Sequence, residues 1–200
     1  ESANDLALLL RSGALPAPLE VLEERTVGAG LGSDSIREGI TASIIGLIAV
    51  IVFMVLAYGL FGIFTTVTVL MNLFLMLGAL SFMGATLTLP GIAGIILTIG
   101  MAVDANVLIF ERMREEVKNG RSTKDAAEAG FTEAWGTIVD SNLTTLVAAF
   151  VLFYFGTGPV RGFAVTLAIG IATSMFTSVT VTRLIIASWL NKYKPTKLPI

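Results

Sequence analysis

Gly100-Met-Ala-Val-Asp-Ala-Asn-Val-Leu-Ile-Phe-Glu-Arg-Met-Arg-Glu-Glu116 begins inside an apolar run, carries a carboxylate at Asp104, and leaves through Glu111, Arg112, Arg114, Glu115 and Glu116. Traced back to Pro90, the run covers residues 90–110, enough for a helix to cross a hydrocarbon core, which takes about 20 apolar residues. Pro90 suits the first turn of such a helix, where its missing N–H is not needed. A carboxylate at the centre of a membrane helix costs about 2.5–3.5 kcal/mol on insertion scales, so such residues are rare and usually functional. The rest of the chain reads as the housing of that acid.

Four further apolar segments surround it, over residues 40–58, 60–83, 135–155 and 160–190. Runs this continuous exclude the alternating strands of a membrane barrel and leave helices, which satisfy their own backbone in lipid. The composition agrees: 54% of the chain is hydrophobic and 14% charged, against about 45–50% and about 25% in soluble domains. The expected fold is an all-α membrane protein, a five-helix transmembrane bundle over residues 39–190. A short α/β extracytoplasmic remnant over residues 1–38 precedes it, and a cytoplasmic tail over residues 191–200 follows. In the remnant, Asn4 or Asp5 caps a short helix and Glu20 to Val27 reads as a strand, while Gly28, Gly30 and Gly32 form a turn. Ser35 and Glu38 have the spacing of a capping box that starts the next helix.

Lys and Arg set the orientation. Residues 111–134, between the third and fourth segments, carry Arg112, Arg114, Lys118, Arg121 and Lys124, and the tail carries Lys192, Lys194 and Lys197. The loops on the other side, residues 84–89 and 156–162, hold only Arg161. An odd number of spans therefore puts the N-terminal region outside and the tail inside. In the inner loop, Ser122 or Thr123 caps a helix through Ala126, Ala127, Gly130, Phe131 and Trp135, suited either to the membrane surface or to a connector.

Counting inward from Phe110 and Ala134, Asp104 and Asp140 lie at equal depth, about 9 Å from that level at about 1.5 Å per residue. Asn142, Thr144 and Thr145 follow Asp140, and Asn106 follows Asp104. Arg183 on the last segment lies at a broadly similar depth. If these groups cluster, Arg183 balances one acid and the other is best accommodated protonated, which makes it a candidate proton carrier. Asp140 can instead cap or pair locally, and Arg183 can snorkel to the inner headgroups. Gly162, Thr166, Gly170, Ser174, Ser178 and Thr182 recur every fourth residue, a packing face for a neighbouring helix.

The chain has no Cys and no His, so thiol chemistry, disulfides and triads built on His are excluded. No Gly-rich phosphate loop with Lys-Ser/Thr is present and no basic aromatic surface for nucleic acid. No cofactor and no metal are expected, and covalent catalysis is the least supported reading. The residues alone leave two readings open: a proton-driven transporter, such as one for small-molecule efflux, and a non-conducting membrane scaffold.

At GMAVDANVLIFERMREE the chain resembles the SecD family of bacterial protein-export membrane proteins. The likeness extends upstream through LRSGALPAPLEVLEERTVGAGLGSDSIREG and downstream through TEAWGTIVDSNLTTLVAAFVLFYFGTGPVRGFAVTLAIGIATSM. The resemblance implies a bundle of the resistance-nodulation-division type in the bacterial inner membrane. Residues 1–38 would then close a periplasmic domain, and the five helices would be the second to sixth of six. It also implies a partner, SecF, the SecYEG channel, a translocating preprotein, and use of the proton-motive force in late, ATP-independent steps of export. By position, Asp104 matches the family's proton-relay acid, Asp140 and Asn142 its polar DSN motif, and Arg183 a basic position of the last helix.

Overall fold

Each apolar segment becomes a helix that is long and apolar enough to cross a membrane. The computed structural model describes residues 7, 29–85, 88–195 and 198–199. In chain order the helices are α1 (Ala29–Tyr58), α2 (Leu60–Phe82), α3 (Leu89–Lys118), α4 (Thr123–Phe155) and α5 (Pro159–Tyr193). No strand occurs among the described residues. The chain separates into two compact units, Glu1–Ser33 and Asp34–Ile200. Of the helix expected after Asn4 or Asp5 only Ala7 is described, and it is helical, while the expected strand and Gly28 lie outside the described residues.

Two expectations are corrected at helix ends. Gly30 and Gly32 lie inside α1, and so do Ser35 and Glu38, which therefore cap nothing. Gly costs only about 1 kcal/mol in a helix interior, and a helix already nucleated by its apolar stretch propagates through such positions. The second correction concerns residues 111–134, expected as a loop with a helix of its own. Here α3 runs on to Lys118, and α4 starts at Thr123 and continues without a break to Phe155. Arg112–Glu115 and Arg114–Glu111 ion pairs at 2.9 and 2.7 Å brace the end of α3. Ser122 caps α4, its hydroxyl oxygen accepting from the Asp125 amide at 3.3 Å. Ala126, Ala127, Gly130, Phe131 and Ala134 are buried in the bundle, with Gly130 against Met113 and the Ile109 carbonyl of α3. That apolar face meets protein and not a membrane surface.

The acid-bearing α3 is the central helix. Its most apolar window is 56% buried within the chain, against 6% for α1 and 17% for α4. It starts at Thr88, whose hydroxyl oxygen accepts from the Gly91 amide at 3.2 Å, with Pro90 in the first turn. α5 lies along it through small residues: Gly91 and Gly94 face Thr166, Gly162 faces Thr88, and Gly170 faces Thr98. Helices without side-chain bulk approach closely, which is how packing replaces the hydrophobic effect inside lipid. At the opposite end, rings close the bundle. Phe61 meets Phe110 and Trp189 edge-on at 5.2 and 5.9 Å, and Tyr58 meets Phe110 at 5.5 Å.

α5 is not a plain α-helix. Residues Thr177–Val181 form a π-helical turn in which the Thr182 amide donates to the Thr177 carbonyl. A four-residue repeat drifts by about 40° per step on a helix of 3.6 residues per turn. The wider turn rotates the face back, so that Thr166, Ser174, Ser178 and Thr182 are all buried.

Candidate functional site

Asp104 opens onto a groove between α3 and α4. The groove is lined by Met101, Asp104, Ala105 and Leu108 from one helix and Ile138, Ser141, Asn142 and Thr145 from the other. The α4 side is polar but locally tied. Asn142 Nδ2 donates to the Ile138 carbonyl at 2.7 Å, and the Ser141 and Thr145 hydroxyls donate to carbonyls of their own helix at 3.1 Å. Asp104 itself is exposed at the surface of this chain. It is thus a carboxylate held by the most buried helix, beside amide and hydroxyl groups.

Asp140 and Arg183 do not join it. Gly130 against Met113 sets the register of α4 on α3, and counting from there Asp104 and Asp140 come out within about 2 Å of the same level. Asp140 nevertheless points elsewhere: Asn142 faces the groove, and two residues on an α-helix are turned by about 200°. Asp140 is exposed, and its carbonyl accepts from the Thr144 hydroxyl at 2.9 Å. Arg183 stands over the Phe131 ring at 6.0 Å and lines a different cleft, with Lys124, Glu128 and Asn191. Its head group reaches toward the charged end of the bundle, as long cationic side chains do near helix ends. Among the described residues the ion pairs are Arg112–Glu115, Arg114–Glu111 and Arg121–Glu116. None includes Asp104, Asp140 or Arg183.

The buried polar connection of α3 runs on its other side. Asn106 is 1% exposed and Thr182 fully buried. The Thr182 hydroxyl donates to Asn106 Oδ1 at 2.9 Å, while Asn106 Nδ2 donates to the Ala102 carbonyl at 3.0 Å. This bond ties α3 to α5 at the end of the π turn. Sequence reasoning placed Asn106 among the supporting groups and Thr182 on the packing stripe, but not their pairing. The signal was present: a Thr that ends a small-residue stripe must still satisfy its hydroxyl. A second contact was missed at the charged end. The Tyr58 hydroxyl donates to Glu111 Oε1 at 2.9 Å, Arg114 pairs with the same oxygen at 2.7 Å, and its guanidinium lies 5.4 Å from the Tyr58 ring centre. No group of three or more carboxylates that could hold a metal occurs among the described residues.

Known proteins resemble this chain in sequence and fold. A sequence profile described as protein export membrane protein SecD/SecF, C-terminal, matches residues 13–192. The protein translocase subunit SecD of Rickettsia prowazekii is 55% identical over 198 residues, and that of Calditerrivibrio nitroreducens is 56% identical over 200. These matches cover 99% and 100% of this chain but only 38% and 39% of the relatives. The chain therefore spans less than half the length of the curated relatives it matches. Among solved structures, SecDF from Thermus thermophilus, a translocon-associated membrane protein, superposes with a TM-score of 0.86 at 44% identity. It covers 98% of this chain, which corresponds to 27% of that one. SecDF in its super-membrane-facing form gives a TM-score of 0.79 at 45% identity over 94% of this chain. The profile match over most of the chain, together with a bundle of the same architecture, shows that the chain belongs to the SecD/SecF family of protein export membrane proteins and carries the SecD type of its C-terminal membrane region.

Proposed function

We propose that this chain is the membrane part of a protein-export subunit that couples proton movement to late, ATP-independent preprotein translocation. Asp104 is the proton-carrying group. The observation that carries the reading is the one carboxylate within the apolar stretch of the most buried helix, facing a groove lined by Asn142, Ser141 and Thr145. Placing an acid there is costly in lipid, and intramembrane acids of this kind serve ion and proton pathways. In this reading the proton gradient supplies the energy and helix packing transmits it.

Asp140 and Arg183 belong to the same relay as groups on the outer faces of α4 and α5. Asp140 faces beyond this chain, where helices of a partner, SecF, would complete a path. Arg183 serves the charged end, through which the proton leaves. The chain sits in the bacterial inner membrane with residues 1–38 as the end of a periplasmic domain, residues 39–190 as the bundle and residues 191–200 as a cytoplasmic tail. The Lys and Arg bias between Lys118 and Lys124 and in the tail supports this orientation. Besides SecF, the partners are the SecYEG channel, the preprotein and the bilayer, with no nucleic acid and no cofactor.

The relatives' names favour export over the efflux of small molecules, since they are translocase subunits. The discriminating experiment deletes the full-length gene and scores precursor accumulation and drug susceptibility side by side. Accumulated precursor with unchanged susceptibility is expected. Normal export with heightened susceptibility would replace this reading by the efflux one.

A further inference from the structure

Asn72, in the middle of α2, is 1% exposed, and neither its Nδ2 nor its Oδ1 meets a hydrogen-bond partner. It is alone in this among the described residues: every other fully buried side-chain nitrogen or oxygen has a partner, mostly a carbonyl three or four residues back. An unpaired buried amide costs about 1–3 kcal/mol per group, and inside lipid no solvent relieves it. Something else must satisfy both ends.

Counting along the helices indicates what lies at its level. Phe61 and Trp189 touch and mark one level of the bundle. Counting at about 1.5 Å per residue, Asn72 lies about 16 Å from that level, and so does Ser178 on α5. α2 packs against the π-helical turn Thr177–Val181. Small residues flank this height on α5, where Ser174 and Ser178 are buried. Both hydroxyls donate to carbonyls of their own helix, Ser178 to Ser174 at 2.6 Å and Ser174 to Ile171 at 3.0 Å. Their oxygens therefore still accept. A π turn also lengthens the hydrogen-bond ladder, with the Thr182 amide reaching five residues back to Thr177, and such turns recur at functional positions.

We infer that Asn72 anchors an internal water site between α2 and the π-helical turn of α5. The ligand is water and not a metal cation, by the chemistry of the orphaned pair. Water accepts from Nδ2 and donates to Oδ1, whereas a cation would satisfy Oδ1 and leave the Nδ2 hydrogens facing a positive charge. Its remaining bonds go to the hydroxyl oxygens of Thr177 or Ser178, which gives it the two to four polar partners that a buried water needs. The site lies on the side of α3 away from the Asp104 groove and does not depend on the proton-carrier reading. Its effect is to make the α2–α5 contact exchangeable: the π turn can trade partners with water without stranding a polar group in lipid.

The experiment is X-ray hydroxyl-radical footprinting of the full-length protein with its partner in lipid nanodiscs. Radicals formed from an ordered internal water oxidise side chains beside it. Met76 lies one turn from Asn72 on the same face and is fully buried, as is Met113, far from the site near the charged end. Met76 is expected to be oxidised several-fold faster than Met113 in the unaltered protein. In Asn72→Leu its rate is expected to fall to that of Met113. Equal protection of the two methionines in the unaltered protein would overturn the inference, and that comparison stands whether or not the variant folds. A fast Met76 that is indifferent both to Asn72→Leu and to Ser178→Ala would overturn it as well.

Discussion

Asp104→Asn in the full-length protein is expected to raise precursor accumulation to the level of the deletion strain while leaving the protein's abundance in the membrane unchanged. The two side chains have the same shape, and Asn keeps a hydrogen-bonding end toward Asn142 and Ser141 across the groove. What it loses is the ability to take up and release a proton. Neutralising a carboxylate within a membrane helix does not hinder insertion, because the charged form is the costly one, by up to about 2.5–3.5 kcal/mol. Loss of export at normal abundance therefore isolates the proton, and Asp104→Glu, which restores the carboxyl group, is expected to recover part of it. A protein that merely anchors a periplasmic domain beside a channel would tolerate the Asn substitution.

The second large effect is structural and lies at the α3–α5 seam. A Cβ at Gly170 would fall 2.9 Å from the Cβ of Thr98 and closer still to its hydroxyl. Thr98 is fully buried, and its hydroxyl is fixed on the Gly94 carbonyl at 2.7 Å, so the neighbour has nowhere to turn. Gly170→Val is expected to destabilise the bundle by about 2–3 kcal/mol or more through overpacking, and to loosen the helix that holds Asp104. Thermal unfolding in detergent measures it. Gly78→Val serves as the control, because a Cβ at Gly78 meets nothing within 4 Å. Equal losses for the two variants would mean that the seam does not hold the bundle together.

How far the sequence carried the reading depended on the physics of each feature. Apolar length is local and additive, so all five helices were legible, and so was Pro90 in the first turn of α3. The charged end of α3 and the Ser122 cap of α4 were legible as well. The unbroken run of α4 from Thr123 to Phe155 was not, because an apolar face from Ala126 to Ala134 suits a separate surface or connector helix equally well until Ile109 and Met113 are seen to meet Gly130.

Relative level follows from rise per residue: counted from the Gly130–Met113 contact, Asp104 and Asp140 fall within about 2 Å of one another along the bundle. Facing was not legible. It depends on the rotation of each helix about its axis, which is set by long-range contacts such as Gly130 on Met113. A two-residue offset on α4 was enough to send Asn142 to the groove and Asp140 away from it. Arg183 followed its long side chain to the charged end and Phe131. The π turn had no local signature at all, since the small-residue stripe reads the same through it.

Whether Asp104 exchanges its proton when the gradient acts is best measured directly, by difference infrared spectroscopy of the full-length complex in lipid with a proton gradient imposed. The expected spectrum carries a carboxyl C=O stretching band whose intensity changes with the gradient and which disappears in Asp104→Asn. A spectrum with no gradient-dependent carboxyl band, or with one that persists unchanged in Asp104→Asn, would contradict the proton-carrying role of Asp104.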